Sequence, residues 1–204
     1  VIGPGVAINR LGFNSPGMEV VKKNLQIYQG SGIPIGINVG RNEWIADEDA
    51  PRAFAAVVDY LYEEGSFFTI NVSCPNTPNL CHLQNKDDLI GIIKTVQAAM
   101  DKHSRRKPIF VKISPDLVLD IVTDIVMVVQ ETKADGIVAT NTTTRSDLKA
   151  KYGARWENEF GGFSGDDEDY RQMTLKAISH IYRITNGQMP IIGVGGVKDG
   201  KTAL

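Results

Sequence analysis

Little in this sequence points to metal, disulfide or membrane chemistry. The 204 residues hold two cysteines, Cys74 and Cys81, and three histidines, His82, His103 and His180. Two cysteines make no disulfide framework, and no Cys or His pair sits at zinc-ligand spacing, so no metal is expected. Such sparing cysteine usage fits a reducing compartment. The histidines are scattered and read as structural or exposed. Positive charge is not in excess either. The formal net charge is −2, and the short basic run at residues 102–107 reads as a solvated loop. Nucleic acid is therefore not an expected partner. No apolar stretch reaches the roughly 18 residues that would suggest a membrane span. No signal peptide is visible. No G-x-G-x-x-G follows a first strand, which removes the mark of a dinucleotide-binding open sheet. The chain opens on Val1 rather than Met and stops at Leu204, inside what reads as the first turn of a helix. The expectation is a piece of a longer protein.

What is present supports one sizeable globular core, with 42% hydrophobic and 23% charged residues. Apolar, β-branched runs at 33–39, 67–72, 109–113, 136–140 and 190–194 predict strands. They are near-continuous rather than alternating, which suggests parallel strands buried on both faces. Helical spacing lies between them. Residues 50–64 carry Phe54, Val57, Val58 and Leu61, and residues 87–100 carry Leu89, Ile92, Ile93 and Val96. Residues 115–132 predict a helix with Ser114 as N-cap, Pro115 at its first position, and Ile121, Ile125 and Val128 inward. Another helix is expected at 169–185. This alternation implies βαβ units. An open doubly wound sheet and a closed (β/α)8 barrel compete. Asn38, Asn71, Lys112, Thr140 with Asn141, and Gly195 with Gly196 all fall at C-terminal ends of different strands. Barrels assemble their chemistry at that face, a residue or two per strand. The expected fold is α/β, a (β/α)8 TIM barrel forming a single domain over 1–204. A whole barrel takes ~250 residues, so it should be incomplete, lacking its first and last strands.

The stretch 68–77, Phe-Thr-Ile-Asn-Val-Ser-Cys-Pro-Asn-Thr, carries the most chemical information. An apolar strand runs straight into Asn71, Ser73, Cys74 and Asn76. A strand that only fills a core would end at a turn. Neutral amides around a thiol suit a flat, uncharged, hydrogen-bonding ring held beside a weak acid or base. Pro75 biases Cys74 towards extended backbone, which points the thiol into a barrel mouth. Cysteine is often a small buried hydrophobe, but an apolar pocket would not need so many amides. Asn9, Asn38, Asn71, Asn76 and Asn141 offer donors and acceptors without charge, matching the edges of a pyrimidine or flavin ring. Singly, each would be a turn or capping residue. Lys112 sits inside Ile109-Phe-Val-Lys-Ile113. It is either a lysine on an exposed strand face or a cation facing an anion that develops during reaction. Gly193-Val-Gly-Gly196 ends a strand, where glycine N–H groups cradle phosphate well; the same residues could make only a tight turn. Residues 143–165 form a long charged segment with Trp156, ending in Gly161-Gly-Phe-Ser-Gly165. A lid hinged at those glycines is the expectation.

Seven segments stand in order along the chain: Asn9-Arg-Leu-Gly-Phe-Asn14, Gly36-Ile-Asn-Val-Gly40, Asn71-Val-Ser-Cys-Pro-Asn-Thr77, Val111-Lys-Ile-Ser-Pro-Asp-Leu117, Thr140-Asn-Thr-Thr143, Gly161-Gly-Phe-Ser-Gly165 and Ile192-Gly-Val-Gly-Gly196. Together they resemble the motifs of the dihydroorotate dehydrogenase family, flavoenzymes of pyrimidine biosynthesis. The resemblance implies a barrel that binds FMN through Asn38, Asn71, Lys112, Thr140, Ser164, Gly165, Gly195 and Gly196. It implies that Asn9, Phe13, Asn71, Asn76, Asn141 and Thr142 hold dihydroorotate or orotate. Cys74 would be the base that takes the C5 proton while hydride leaves C6 for flavin N5. Lys112 would stabilise the reduced flavin near N1 and O2.

The first, fourth and fifth segments look like class 2, the membrane-associated, quinone-reducing enzymes. Those generally carry Ser as the base, whereas Cys at position 74 is usual for the soluble class 1. Three segments against one residue favour class 2. Quinone is then the expected electron acceptor, with peripheral contact to the cytoplasmic face or the mitochondrial inner membrane. Fumarate or another soluble acceptor, with a cytoplasmic location, is the alternative. The family's first strand with its second lysine, its eighth strand and the class 2 N-terminal extension are not among these residues. Two other readings stay open. One is another flavin barrel acting on pyrimidines, such as the reductase domain of dihydropyrimidine dehydrogenase; it would need iron–sulfur partner domains, and no cluster motif occurs here. The other is a non-catalytic barrel fragment, which predicts no flavin.

Overall fold

Apolar runs and amphipathic helices alternate along the chain, and the computed structural model, which describes residues 1–73 and 85–203, folds them as strand–helix units. In order they are β1 (Val6–Asn9), α1 (Met18–Leu25), β2 (Gly36–Val39), α2 (Ala50–Tyr60), β3 (Phe67–Asn71), α3 (Lys86–Met100) and β4 (Ile109–Ile113). Then come α4 (Leu119–Thr132), β5 (Gly136–Ala139), α5 (Ser146–Ala150), β6 (Gly162–Gly165), α6 (Glu168–Ile184) and β7 (Ile191–Gly193). Strands β2-β3-β4-β5-β7 form one parallel sheet in that order. Parallel neighbours need a crossover, and the helices supply it.

The strand order never reverses. An open doubly wound sheet reverses at its switch point and takes helices on both faces. Here Ile37, Val39, Phe68, Ile70, Val111, Ile113 and Ile137 share one face and one core with Phe54, Val58, Ile92, Ile93, Ile125 and Val129 of the helices. Burying each large side chain contributes about 1.5–3 kcal/mol. The alternate residues Asn38, Thr69, Asn71, Phe110, Lys112 and Val138 share the opposite face. The architecture is therefore α/β, five adjacent wall strands of a (β/α)8 barrel with helices outside and polar residues inside.

The floor of the barrel is built from two register pairs. Phe67 pairs with Gly36, and Phe110 pairs with Gly136. The two rings meet edge to face at 5.6 Å. A Cβ on Gly36 would lie 2.2 Å from Phe67 Cζ, and one on Gly136 would lie 2.8 Å from Phe110 Cε1. The glycines thus leave the room that the phenylalanines fill, and this apolar plug closes the end away from the amides.

Several expected boundaries move. The first wall strand begins at Gly36, not at residue 33, and Ile33 is exposed. Burial on both faces holds for β3 and β5, while β2 and β4 alternate because their inner residues line the open interior. The helix expected from 115 starts at Leu119, with Val118 as N-cap. Ser114 instead accepts the Asp116 N–H at 3.1 Å, so Ser114 and Pro115 belong to a turn. Val122 points inward beside Ile125 and Val128, and Ile121 faces solvent. Residues 199–203 form a single turn with the bonds of a helix start: Asp199 accepts the Thr202 N–H on its carboxylate at 2.9 Å and the Ala203 N–H on its carbonyl at 3.1 Å.

The expected lid is the largest difference. Residues 143–165 contain α5, a short 3-10 turn at Ala154–Trp156, and β6. The glycine run is a strand: β6 pairs antiparallel with β1, from Val6 opposite Gly165 to Asn9 opposite Gly162. A Cβ on Gly165 would strike Gly5 O at 2.1 Å, so this close pairing requires glycine. Val6, Leu148, Phe163 and Tyr170 bury a small core of their own. Among the described residues no helix is long and apolar enough to cross a membrane.

Candidate active site

Strands β3 and β5 flank β4, and residues at or just past their C-terminal ends join Asn38 of β2 in a network of neutral polar groups. Asn71 is 3% exposed and Ser73 is 0% exposed. Burial at that level demands partners for every polar atom. Asn71 Nδ2 donates to Asn38 Oδ1 at 3.1 Å. Asn71 Oδ1 accepts from Ser73 N at 3.3 Å, Ser73 Oγ at 3.1 Å and Asn141 Nδ2 at 3.4 Å. Asn141 Nδ2 also donates to Ser73 Oγ at 3.2 Å, and Asn141 Oδ1 accepts the Thr142 N–H at 2.9 Å. Four of the sequence-predicted residues, Asn38, Asn71, Asn141 and Thr142, thus meet in one connected patch. Lys112, half-buried on the inner face, is the register partner of Asn71 and brings a cation to its edge.

Other predicted residues reach the rim by different routes. Thr140 is 1% exposed, and its hydroxyl turns back to Thr174 of α6 at 2.9 Å. It therefore supports the rim from behind. Gly195 and Gly196 follow β7 with φ of 128° and 70°. Val194 between them and the sheet exchanges backbone bonds with β5, donating to Ala139 O at 2.7 Å and accepting from Thr140 N at 2.9 Å. Ser164 and Gly165 lie at one end of the β1–β6 pair and Asn9 at the other. That pair joins the wall where Thr143 and Phe163 exchange backbone bonds at 3.1 and 2.7 Å. Cys74 and Asn76 lie outside the described residues.

Three supports hold this patch: Ser73, which the sequence places at the strand end without a role, and Asp116 and Tyr170, which it does not mark. Ser73 ties Asn71 to Asn141. Asp116 accepts from the Thr143 hydroxyl, from Thr144 N at 2.8 Å and from Thr144 Oγ1 at 2.9 Å, which fixes the loop carrying Asn141 and Thr142. Tyr170 donates to the Asn141 carbonyl at 3.0 Å. Burial pushes the Tyr170 hydroxyl up to about 12, against a small opposing pull from Thr140. It stays a neutral donor through the physiological range.

The dihydroorotate dehydrogenase family profile matches residues 2–204 of this chain. The chain belongs to the dihydroorotate dehydrogenase family. It is similar to a dihydroorotate dehydrogenase (quinone) of Christiangramia forsetii, 37% identical over 198 residues, covering 97% of this chain and 56% of the relative. It is also similar to a dihydroorotate dehydrogenase (quinone) of Gloeobacter violaceus, 40% identical over 198 residues, covering 97% of this chain and 53% of the relative. Among solved structures, DHODH from Eimeria tenella in complex with ferulenol superposes with a TM-score of 0.83. It is 31% identical, with 97% of this chain and 58% of that chain covered. The chain thus spans little more than half the length of the curated relatives it matches.

Dihydroorotate dehydrogenases are flavin enzymes. In this member of the family Phe13 is an unusual element of the rim. Its φ is 61°, a left-handed backbone that an aromatic residue rarely adopts. The reason lies in Gly40, one residue past β2, where a Cβ would fall 2.4 Å from Phe13 Cζ. The ring lies on the bare backbone and packs against the main core. Gly40→Ala is expected to drive the ring out of this seat at a cost of about 1–3 kcal/mol. A thermal melt checks it: an unchanged melting temperature would mean that Phe13 does not occupy the seat.

Proposed function

We propose that the protein containing this chain is a dihydroorotate dehydrogenase that oxidises dihydroorotate to orotate with FMN. The observation that carries the proposal is the connected patch of Asn38, Asn71, Ser73 and Asn141 beside Lys112. Its atoms alternate donors and acceptors without net charge, and a cation stands at one edge. That is the complement of a uracil-like ring lying against a flavin.

The residues also fit FMN itself. The flavin ring is neutral and flat, its phosphate is anionic, and Asn38, Asn71 and Lys112 would hold the ring. Gly165, Gly195 and Gly196 all have positive φ, and a Cβ on Gly165 or Gly195 would press on Gly5 O or Thr174 Oγ1, so these backbones need glycine, and their N–H groups would hold the phosphate. Ser164 would complete the cradle, with Thr140 supporting it from behind through Thr174. Bound FMN supplies the hydride acceptor. Everything else falls to the protein. Asn9, Phe13, Asn71, Asn76, Asn141 and Thr142 would hold and orient dihydroorotate, Cys74 would take the C5 proton, and Lys112 would hold positive charge where negative charge gathers on reduction.

Quinone is the proposed acceptor, because the matched relatives bear that name and three segments of this chain look like class 2. Peripheral membrane contact goes with it. Cys74 favours a second reading, in which fumarate or another soluble acceptor reoxidises the flavin in the cytoplasm. The test is colour. Protein purified from the complete reading frame should be yellow, and anaerobic dihydroorotate should bleach its flavin absorbance. A colourless protein under flavin-retaining conditions, or a flavin indifferent to dihydroorotate, sinks the proposal. Quinone and fumarate supplied to the bleached protein then decide the acceptor.

A further inference from the structure

Helix α6 starts at the barrel mouth, and its N-terminal part reaches under three segments that the proposed activity needs. Asp167 caps the helix by accepting the Tyr170 N–H at 2.9 Å. This fixes Tyr170 in the first turn, with only 2% of its surface exposed. The ring packs edge-on against Phe163 of β6 at 6.2 Å, next to Ser164 and Gly165. The hydroxyl donates to the Asn141 carbonyl at 3.0 Å. Thr174, one turn further along, shares a hydrogen bond with Thr140 Oγ1 at 2.9 Å, and Thr140 Oγ1 donates onward to Asn141 O at 3.2 Å. Both side chains also stand beneath the end of β7. A Cβ on Gly195 would lie 2.9 Å from Thr174 Oγ1 and 3.0 Å from the Tyr170 oxygen.

We propose that Tyr170 and Thr174 are positioning residues that lock the Asn141 peptide from behind, so that its side-chain amide is presented to dihydroorotate in one orientation. The role rests on the activity proposed above. The physical reason is that two hydroxyls fix the Asn141 carbonyl: Tyr170 donates to it directly, and Thr140, itself held by Thr174, donates beside it. With one of these donors lost the carbonyl keeps a single bond, and the peptide can pivot about it. Its side chain is held at both ends, by Thr142 N and by Ser73 with Asn71, so a turn of the peptide strains the whole amide patch. Tyr170 and Thr174 touch no reacting atom in this arrangement, and their effect should appear in substrate recognition rather than in chemistry. Because the same two side chains abut Gly195, they also tie the substrate amide to the loop proposed for the phosphate.

The test uses the flavin-loaded protein from the complete reading frame. Tyr170→Phe keeps the ring and its contact with Phe163 while removing the donor. The KM for dihydroorotate and the calorimetric dissociation constant for orotate are each expected to rise about tenfold, the equivalent of one buried hydrogen bond. Bound flavin should stay constant and kcat should change less than about threefold. Thr174→Val should move KM and orotate binding the same way, and Thr174→Ser should restore them. Wild-type KM and orotate binding in Tyr170→Phe overturn the role. So does a variant that loses flavin or fold while KM per bound flavin stays unchanged, since that marks a merely structural residue. Wild-type protein that neither binds orotate nor is reduced by dihydroorotate sinks the proposed activity and this role together. Wild-type turnover with an indifferent Tyr170→Phe sinks this role alone.

Discussion

Cys74→Ala is expected to slow reduction of the bound flavin by dihydroorotate roughly 10²–10⁴-fold, the range that a positioned general base contributes. Orotate should bind almost as before, because recognition is assigned to amides rather than to the thiol. Cys74 follows directly on Ser73, which is buried and bonded to both Asn71 and Asn141. A Cys74 base would act as the thiolate, so the rate of flavin reduction is expected to rise with pH until the thiolate is fully formed. Anaerobic stopped-flow absorbance over a pH series measures both quantities. A wild-type rate in Cys74→Ala removes Cys74 as the base. Cys74→Ser asks a separate question. If the surroundings are tuned for a serine base, as in the quinone-reducing class, the Ser variant retains activity and loses the thiol's rising limb. If they are tuned for cysteine, it behaves like Ala.

The barrel was legible because its signals are local and repeated. Near-continuous apolar runs separated by helical spacing mark buried parallel strands, and each wall strand carries Asn, Lys, Thr or Gly at or next to its C-terminal end. A core needs none of those residues, so their position at strand ends exposed the rim. What sequence could not convey was partnership. Thr140 reads as a rim residue, yet its hydroxyl turns to Thr174 in another helix. Tyr170 and Thr174 look like ordinary members of an amphipathic helix, and only the fold brings them under Asn141 and Gly195. Asp116 looks like part of a turn until Thr143 and Thr144 arrive from the next strand. The glycines at 161–165 misled for a related reason. Glycine marks both hinges and close backbone approach, and here a sequence-distant strand, β1, decides for approach.

Lys112→Met should separate substrate binding from charge stabilisation most sharply. Methionine keeps much of the lysine stem and removes the ammonium. On the inner face of β4 the stem rises from Phe110 in the apolar floor, and the register sets Lys112 between Asn71 and Val138. Polar groups therefore flank it on one strand and apolar groups on the other and below. A charge placed in advance, where negative charge develops, is worth about 10²–10³ in rate. Flavin reduction by dihydroorotate is accordingly expected to slow about 10²–10³-fold in the Met variant. The flavin midpoint potential should fall, because the reduced anion loses its counter-charge while the neutral oxidised ring does not. Orotate should still bind to the Asn71–Asn141 patch with little change, since recognition is assigned to the amides that hold one another there. Lys112→Arg should not rescue the rate, because a broad planar guanidinium cannot occupy the place of a compact ammonium at the same strand position. Spectroelectrochemical titration and stopped-flow reduction together test the assignment. If Lys112→Met keeps both its potential and its rate, the cation at the end of β4 has no part in holding the developing charge.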